Sequence, residues 1–194
     1  MLSPARPSLR PSRLPSLAAA AAVAGLAPLA SADLVTNGSF QTGDFSGWTV
    51  TNAPVGSNLS VAAGGYLGPF AAYFQGTGPG YDGIAQTLAT SAGTEYTVSF
   101  WILNNGVGDD SLLIDWEGAT VFNQSPVEAP LESWSFVSFN VSAGLNGSEL
   151  RFRGFDSISS FAIDDISVVA VPAPGAFALA GALGLARRRS RRRA

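Results

Sequence analysis

From Glu95 to Gly106 the chain reads EYTVSFWILNNG, and its side chains alternate with a period of two. Tyr96, Val98, Phe100 and Ile102 stand against Thr97, Ser99, Trp101 and Leu103. A helix would repeat its apolar positions every three or four residues, so this stretch predicts a strand with one face in a core. The pattern recurs. SLLIDWEG places Leu112, Ile114 and Trp116 on one side, and SWSFVSFNVS sets Val137, Phe139 and Val141 against Trp134, Phe136 and Ser138. ELRFRGF sets Leu150 and Phe152 against Arg151 and Arg153. Gly, Asn, Ser, Thr and Pro punctuate the chain about every ten residues, and no helix-forming run intervenes. Further strands are expected at 33–40, 48–52, 71–75, 84–90, 120–123 and 161–169. The predicted fold class is all-β, a two-sheet sandwich of jelly-roll type built from nine or ten short strands.

The ends are written differently from the middle. All eleven basic residues are arginine, and only Arg151 and Arg153 lie between Asp33 and Val171, a segment that holds all fourteen acidic residues. Such a segment cannot neutralise phosphates, which argues against nucleic acid or an anionic membrane as its partner and favours a low-charge ligand or a cation. At the start, three arginines precede LAAAAAVAGLAPLA (Leu17 to Ala30) and then Ala30-Ser31-Ala32. A cationic region, a short apolar run and a small-x-small site together predict a secretory signal over residues 1–32. The domain then runs from 33 to 170 and a tail from 171 to 194. There are no cysteines. The core alone must hold the exported fold, with or without the help of a metal ion.

Two stretches carry a family resemblance. LVTNGSFQTGDFSGW (Leu34 to Trp48) and FAIDDISVV (Phe161 to Val169) resemble the first and last strands of the galactose-binding-like jelly rolls, which include many carbohydrate-binding modules. GIAQTLAT followed by GTEYTVSFW is similar to two inner strands of that superfamily. The resemblance implies a structural calcium ion clipped between the terminal strands, with Asp164, Asp165 and Gln41 as its ligands here. Gln41 stands where the family usually has Glu, and its amide oxygen brings no charge. Calcium takes six to eight oxygens. The IDDI run also breaks the two-residue alternation, since Ile163 and Ile166 can share a face only through a bulge.

Catalysis finds little support. Histidine and cysteine are absent, which removes Ser-His-Asp, Cys-His and His-ligated zinc chemistry. Paired carboxylates could cleave a glycoside, and Asp109, Asp110, Asp115 and Glu117 are close in sequence, but NNGVGDDS reads as an exposed turn with solvated acids. Binding is the better expectation. Trp101 and Trp134 fall on the polar-alternating faces, and Arg151 and Arg153 share that kind of face. Aromatic planes beside a guanidinium fork suit sugars, which offer C–H faces and hydroxyl edges. Trp48 and Trp116 are expected in the core.

The tail, VPAPGAFALAGALGLARRRSRRRA, has Pro172-Ala173-Pro174, a small apolar run and six arginines. It resembles the PEP-CTERM sorting signal of Gram-negative bacteria, with Ala173 in place of the motif's Glu. The resemblance implies a partner, an exosortase-type processing protease, a transient membrane association and delivery to the cell surface or extracellular matrix. From Gly175 to Ala186 a helix would span about 18 Å at ~1.5 Å per residue, short of the roughly 30 Å hydrocarbon core. The arginines suit a positive-inside stop. The sequence thus predicts an exported, non-catalytic protein that recognises carbohydrate, with exopolysaccharide as the expected partner. A purely structural matrix or adhesion protein is the rival reading, and a small glycan-active enzyme the third.

Overall fold

The computed structural model describes residues 32–76, 80–106 and 108–172. Residues up to Ser31 and from Ala173 lie outside the described residues, and so do the expectations of a leader and a sorting tail that rest on them. Among the described residues all regular structure is β: β1 (Thr49–Thr51), β2 (Leu59–Ala63), β3 (Phe70–Phe74), β4 (Asp82–Thr87), β5 (Glu95–Asn104), β6 (Asp110–Trp116), β7 (Ala119–Gln124), β8 (Ser135–Ser142), β9 (Glu149–Asp156) and β10 (Phe161–Ala170). They form two five-stranded sheets, β1-β4-β9-β6-β7 and β2-β3-β10-β5-β8. Every pairing between them is antiparallel. This is the expected two-sheet sandwich.

The alternation seen in the sequence decides which face of each strand enters the core. On β5, Tyr96, Val98, Phe100 and Ile102 are all buried, as are Leu112, Ile114 and Trp116 on β6. Trp48 and Trp116 are core residues, as expected. The interior is aromatic: Phe100 meets Phe152 edge-on at 5.3 Å between ring centroids, and Phe74 stacks on Phe161 at 5.0 Å. Edge-to-face and offset stacks are the arrangements that ring quadrupoles favour. Gly154 makes room for them. A Cβ there would lie 2.3 Å from Phe74 Cδ1 and 2.6 Å from Phe161 Cζ.

Two expectations need correction. Residues 33–40 are not a strand. The segment turns repeatedly, with Asn37 and Phe40 at positive φ, and touches β10 through three separate bonds, Leu34 N–H to the Val168 carbonyl, Ile166 N–H to the Gly38 carbonyl and Val168 N–H to Asp33 Oδ1. Strand β2 was not anticipated, because LSVAA is too short and too weakly apolar to alternate visibly. The bulge in β10 is where the sequence places it. Its register against β5 shifts between Asp164 and Ser167, Asp165 adopts φ 54°, and Ile163 and Ile166 are both buried.

Candidate functional site

The sandwich exposes two sheet faces that point in opposite directions. On the sheet β1-β4-β9-β6-β7, cross-strand partners build two transverse rows. One runs Thr51, Gly83, Arg153, Leu113, Asn123 and the next Thr49, Ala85, Arg151, Asp115, Thr120. Residues one position away on each strand, such as Ile84, Phe152 and Ile114, are core. Alternation therefore commits both arginines to this outer face.

Arg153 is fixed there by a bidentate fork. Its Nε donates to Asp115 Oδ2 at 2.6 Å and one terminal amine to Asp115 Oδ1 at 2.8 Å, while the Thr120 hydroxyl donates to the same carboxylate at 2.7 Å. Burial alone would raise the Asp115 pKa. The hydrogen bonds from Arg153 and Thr120, with the two guanidinium charges, outweigh burial and hold it below its ordinary value. Arg153 moves up in return, chiefly through the hydrogen bond to Asp115. A locked guanidinium of this kind is a rigid platform, not a mobile charge. The Tyr81 ring lies 5.6 Å from the Arg153 guanidinium carbon, packs edge-on to Phe155 at 6.3 Å and is 39% exposed.

The position of Tyr81 depends on its neighbour. Asp82 is fully buried and accepts the backbone N–H groups of Ala53 at 2.8 Å and Asn58 at 3.3 Å, and the Ser57 hydroxyl. The carboxylate ties the 53–58 loop to the start of β4, immediately beside Tyr81. Arg151 is held differently, by Glu149 at 2.9 Å on its own strand. Its Nε is shielded from solvent and makes no hydrogen bond.

The second face belongs to β2-β3-β10-β5-β8. Trp101 lies on it, opposite the buried face of β5 as expected, but it is half-buried. Tyr66, from the loop between β2 and β3, stacks on it at 3.6 Å between centroids and 18° between planes. Phe136 lies 5.3 Å from Trp101 on the other strand, and Trp134 meets Tyr66 at 6.0 Å. The structure thus separates the four residues that the sequence grouped. Trp101 and Trp134 share one sheet face, and Arg151 and Arg153 lie on the opposite sheet. Tyr81 completes the arginine face without any sequence signal for it, and Asp115, singled out in the sequence only as a candidate catalytic acid, is the partner of Arg153. Tyr81 precedes its strand and shows no alternation, and the partner of Asp115 is 38 residues away in sequence.

Asp164 stands beside Trp101 in register yet is only 1% exposed. The Tyr66 loop covers it, and its two oxygens accept the N–H groups of Tyr66 at 2.7 Å and Asp165 at 2.8 Å. Burial raises its pKa, against the pull of these two bonds, and the Asp165 charge adds to the rise. Gln41 reaches the same loop from another side, its amide lying where a Gly68 side chain would be. Among the described residues no group of three or more His, Cys, Asp or Glu gathers around a point. A cation here would therefore have at most two carboxylates, Asp164 and Asp165, to draw on.

Of the acidic residues weighed for catalysis, Asp109 is exposed as expected, whereas Asp110, Asp115 and Glu117 are engaged in hydrogen bonds within the fold. Asp110 is buried, contrary to the expectation of a solvated turn, and accepts the Val127 N–H at 2.9 Å. Glu117 accepts the Ser148 hydroxyl at 2.6 Å and the Leu145 and Gly144 N–H groups. The bond from Ser148 is the largest influence on it and helps hold its carboxyl below the ordinary range.

A family model described as a carbohydrate binding domain, CBM_4_9, matches residues 32–154. No curated protein sequence matches the chain. Among solved structures, the chain is similar to the enzymatically active domain of bacteriophage CBA120 tailspike protein 4, with TM-score 0.55, 15% identity, and coverage of 72% of this chain and 21% of that one. It is also similar to the CBM22-1 and GH10 modules of a Clostridium thermocellum endo-1,4-β-D-xylanase complexed with xylohexaose, with TM-score 0.57, 17% identity, and coverage of 74% and 29%. A third is the module TmCBM61 in complex with β-1,4-galactotriose, with TM-score 0.54, 19% identity, and coverage of 73% and 100%. The chain thus spans less than a third of the tailspike and xylanase structures. At these identities the likenesses establish the fold.

Proposed function

The chain belongs to the carbohydrate binding domain family CBM_4_9, and on that premise we propose that it recognises a polysaccharide through the Tyr81–Arg153 face without cleaving it. The observation that carries the choice of face is the Tyr81 ring, partly open to solvent, set against a guanidinium that Asp115 holds rigid. A pyranose has apolar C–H faces and hydroxyl edges, and this face offers a ring for the first and Thr49, Thr51, Thr120 and Asn123 for the second. The xylohexaose and β-1,4-galactotriose complexes of the fold relatives support β-1,4-linked glycans as the ligands to try first.

A binding role also fits the state of the carboxylates. Glycoside cleavage needs a general acid whose pKa is raised. Asp115 and Glu117 are both held low, and Asp164, whose pKa is raised, is buried beneath the Tyr66 loop on the other sheet. Export, removal of the leader and processing of the tail by an exosortase belong to the same proposal and are supported by the sequence motifs alone. The rival reading, a matrix protein without a small ligand, predicts no glycan-dependent behaviour.

Affinity electrophoresis of the full chain in gels containing soluble xylan or β-1,4-galactan tests the proposal. The protein should be retarded, and Tyr81→Ala should weaken the retardation several-fold, up to the ~1.4 kcal/mol that one stacked ring supplies. Unretarded migration in every neutral glycan would favour the matrix reading.

A further inference from the structure

The aromatic cluster on the other sheet remains to be explained. Across β10, β5 and β8 one transverse row on that face runs Asp164, Trp101, Phe136, and on the neighbouring strands β2 and β3 Ala62 pairs with Ala71, so small residues give way to large rings. Tyr66 covers Asp164 and stacks on Trp101. Phe136 is left 57% exposed and Leu67, next to Tyr66, 77% exposed. Two anchors hold the arrangement. The buried Asp164 carboxylate fixes the loop backbone at Tyr66, and Gln41 packs against the loop at Gly68.

Beside the rings the face changes character at once. The next row along β5 and β8 is Ser99 opposite Ser138, with Ser167 on β10, and the row after it is Thr97 opposite Asn140, with Val169 on β10. Each row lies about 6.8 Å further along the strands, two residues at ~3.4 Å each. Thr97 donates to Asn140 at 2.9 Å, and Asn140 to Glu95 at 3.2 Å. Rings running directly into a strip of hydroxyls and an amide suit a ligand that is apolar on its faces and hydroxylated on its edges. An obligate protein interface would instead continue the apolar surface. The face carries no arginine among its described residues, since both lie on the opposite sheet, and its outer carboxylate, Glu95, is at the far end of β5. An anionic polymer would find nothing to pair with.

We propose that this second face binds a neutral polysaccharide independently of the Tyr81–Arg153 face, so that one domain holds two glycan chains on opposite sides. The inference rests on the reading that the domain's ligands are glycans, and it does not depend on which residues of the first face bind them. Two sheets packed about 10 Å apart direct their outer faces away from each other, so the two chains would not compete. The domain would act as a cross-link, and its avidity for a network would exceed its affinity for either chain.

The experiment uses the full chain with soluble xylan and β-1,4-galactan as probes, and compares the parent with Tyr81→Ala, Phe136→Ser and the double variant. Each single change should raise the apparent dissociation constant several-fold, and the double change should abolish retardation. The parent should raise the low-shear viscosity of the polysaccharide, and neither single variant should. Ser138→Asp, an exposed change that opens no cavity, repeats the test should Phe136→Ser fold poorly by its melting curve. Retardation lost completely with Tyr81→Ala and unchanged with Phe136→Ser and Ser138→Asp would overturn the second site while leaving the first intact. Complete loss with Phe136→Ser alone would leave a single site on this face and overturn the two-chain proposal. A dimer in sedimentation velocity that Phe136→Ser dissociates would make the cluster an interface between copies, and would overturn it as well.

Discussion

Gly154 shows how one side chain sets the limits of the whole interior. Its inward position is filled by the stacked Phe74 and Phe161 rings, so even a methyl group would have to displace a ring. Gly154→Ala should cost about 1–3 kcal/mol, as overpacking of a filled core does, read from the urea midpoint of the full chain. A variant as stable as the parent would mean that the ring pair can move aside. Asp115 gives a second residue-scale prediction, with a definite sign. Its folded pKa lies below the ordinary 3.8, so between those values the unfolded chain binds more protons, and stability rises with pH through that window. The contribution is complete above the ordinary value and is lost as pH falls through the folded one. Asp115→Asn should therefore narrow the stability gap between neutral and acid solution, and an equal loss at pH 7 and pH 3 would refute the linkage. The sequence showed Arg153 as an outward side chain but could not show this partner. Alternation assigns a residue to a face, whereas a diagonal pair across strands appears only once β6 and β9 are in register.

At the scale of elements, strands with strong alternation were legible and weakly patterned segments were not. β5, β6, β8 and β9 follow directly from their period-two runs, while β2 is short and largely small-residued, and 33–40 holds its place by turns and single hydrogen bonds to β10. The β10 bulge was legible because adjacent aspartates between two isoleucines cannot satisfy the core otherwise. Its purpose was not, since nothing in IDDI indicates that Asp164 would fasten a loop nearly a hundred residues earlier. That carboxylate lies out of water next to Asp165, and the only arginines of the described residues stand on the other sheet. A calcium ion held by Asp164, Asp165, Gln41 and backbone carbonyls is our proposal for what offsets the burial. Saturating calcium should then raise the melting temperature, with about 2.7 kcal/mol gained at a hundredfold excess over the dissociation constant. Asp165→Ala should remove that gain while leaving the metal-free fold intact. Melting curves that coincide in calcium and in chelator would eliminate the ion.

The whole molecule joins an acid-rich sandwich to two arginine-rich ends, and this segregation links where the protein goes to what it can hold. The segment from Asp33 to Val171 sets fourteen acidic residues against two arginines. One of those arginines is neutralised by Asp115 and the other by Glu149. Such a domain would be repelled by acidic polymers and by anionic lipid, which fits the neutral glycans proposed as its ligands. The cationic ends would work against that selectivity if they stayed attached to the mature protein. Six arginines clustered between Arg187 and Arg193 would attract the very polyanions that the domain excludes. We propose that both ends are removed during export, the leader after Ala32 and the tail near Pro172-Ala173-Pro174, which would resolve the conflict. Intact-mass measurement of the surface-associated protein should give a species that begins at Asp33 and lacks the arginine cluster. Its binding to neutral glycans should be insensitive to salt, because no counterion release accompanies it. A surface form whose mass retains Arg187 to Arg193 would rule out tail processing. Retardation in neutral glycan that collapses as salt is raised would show that the arginines, not the sheet faces, carry the binding.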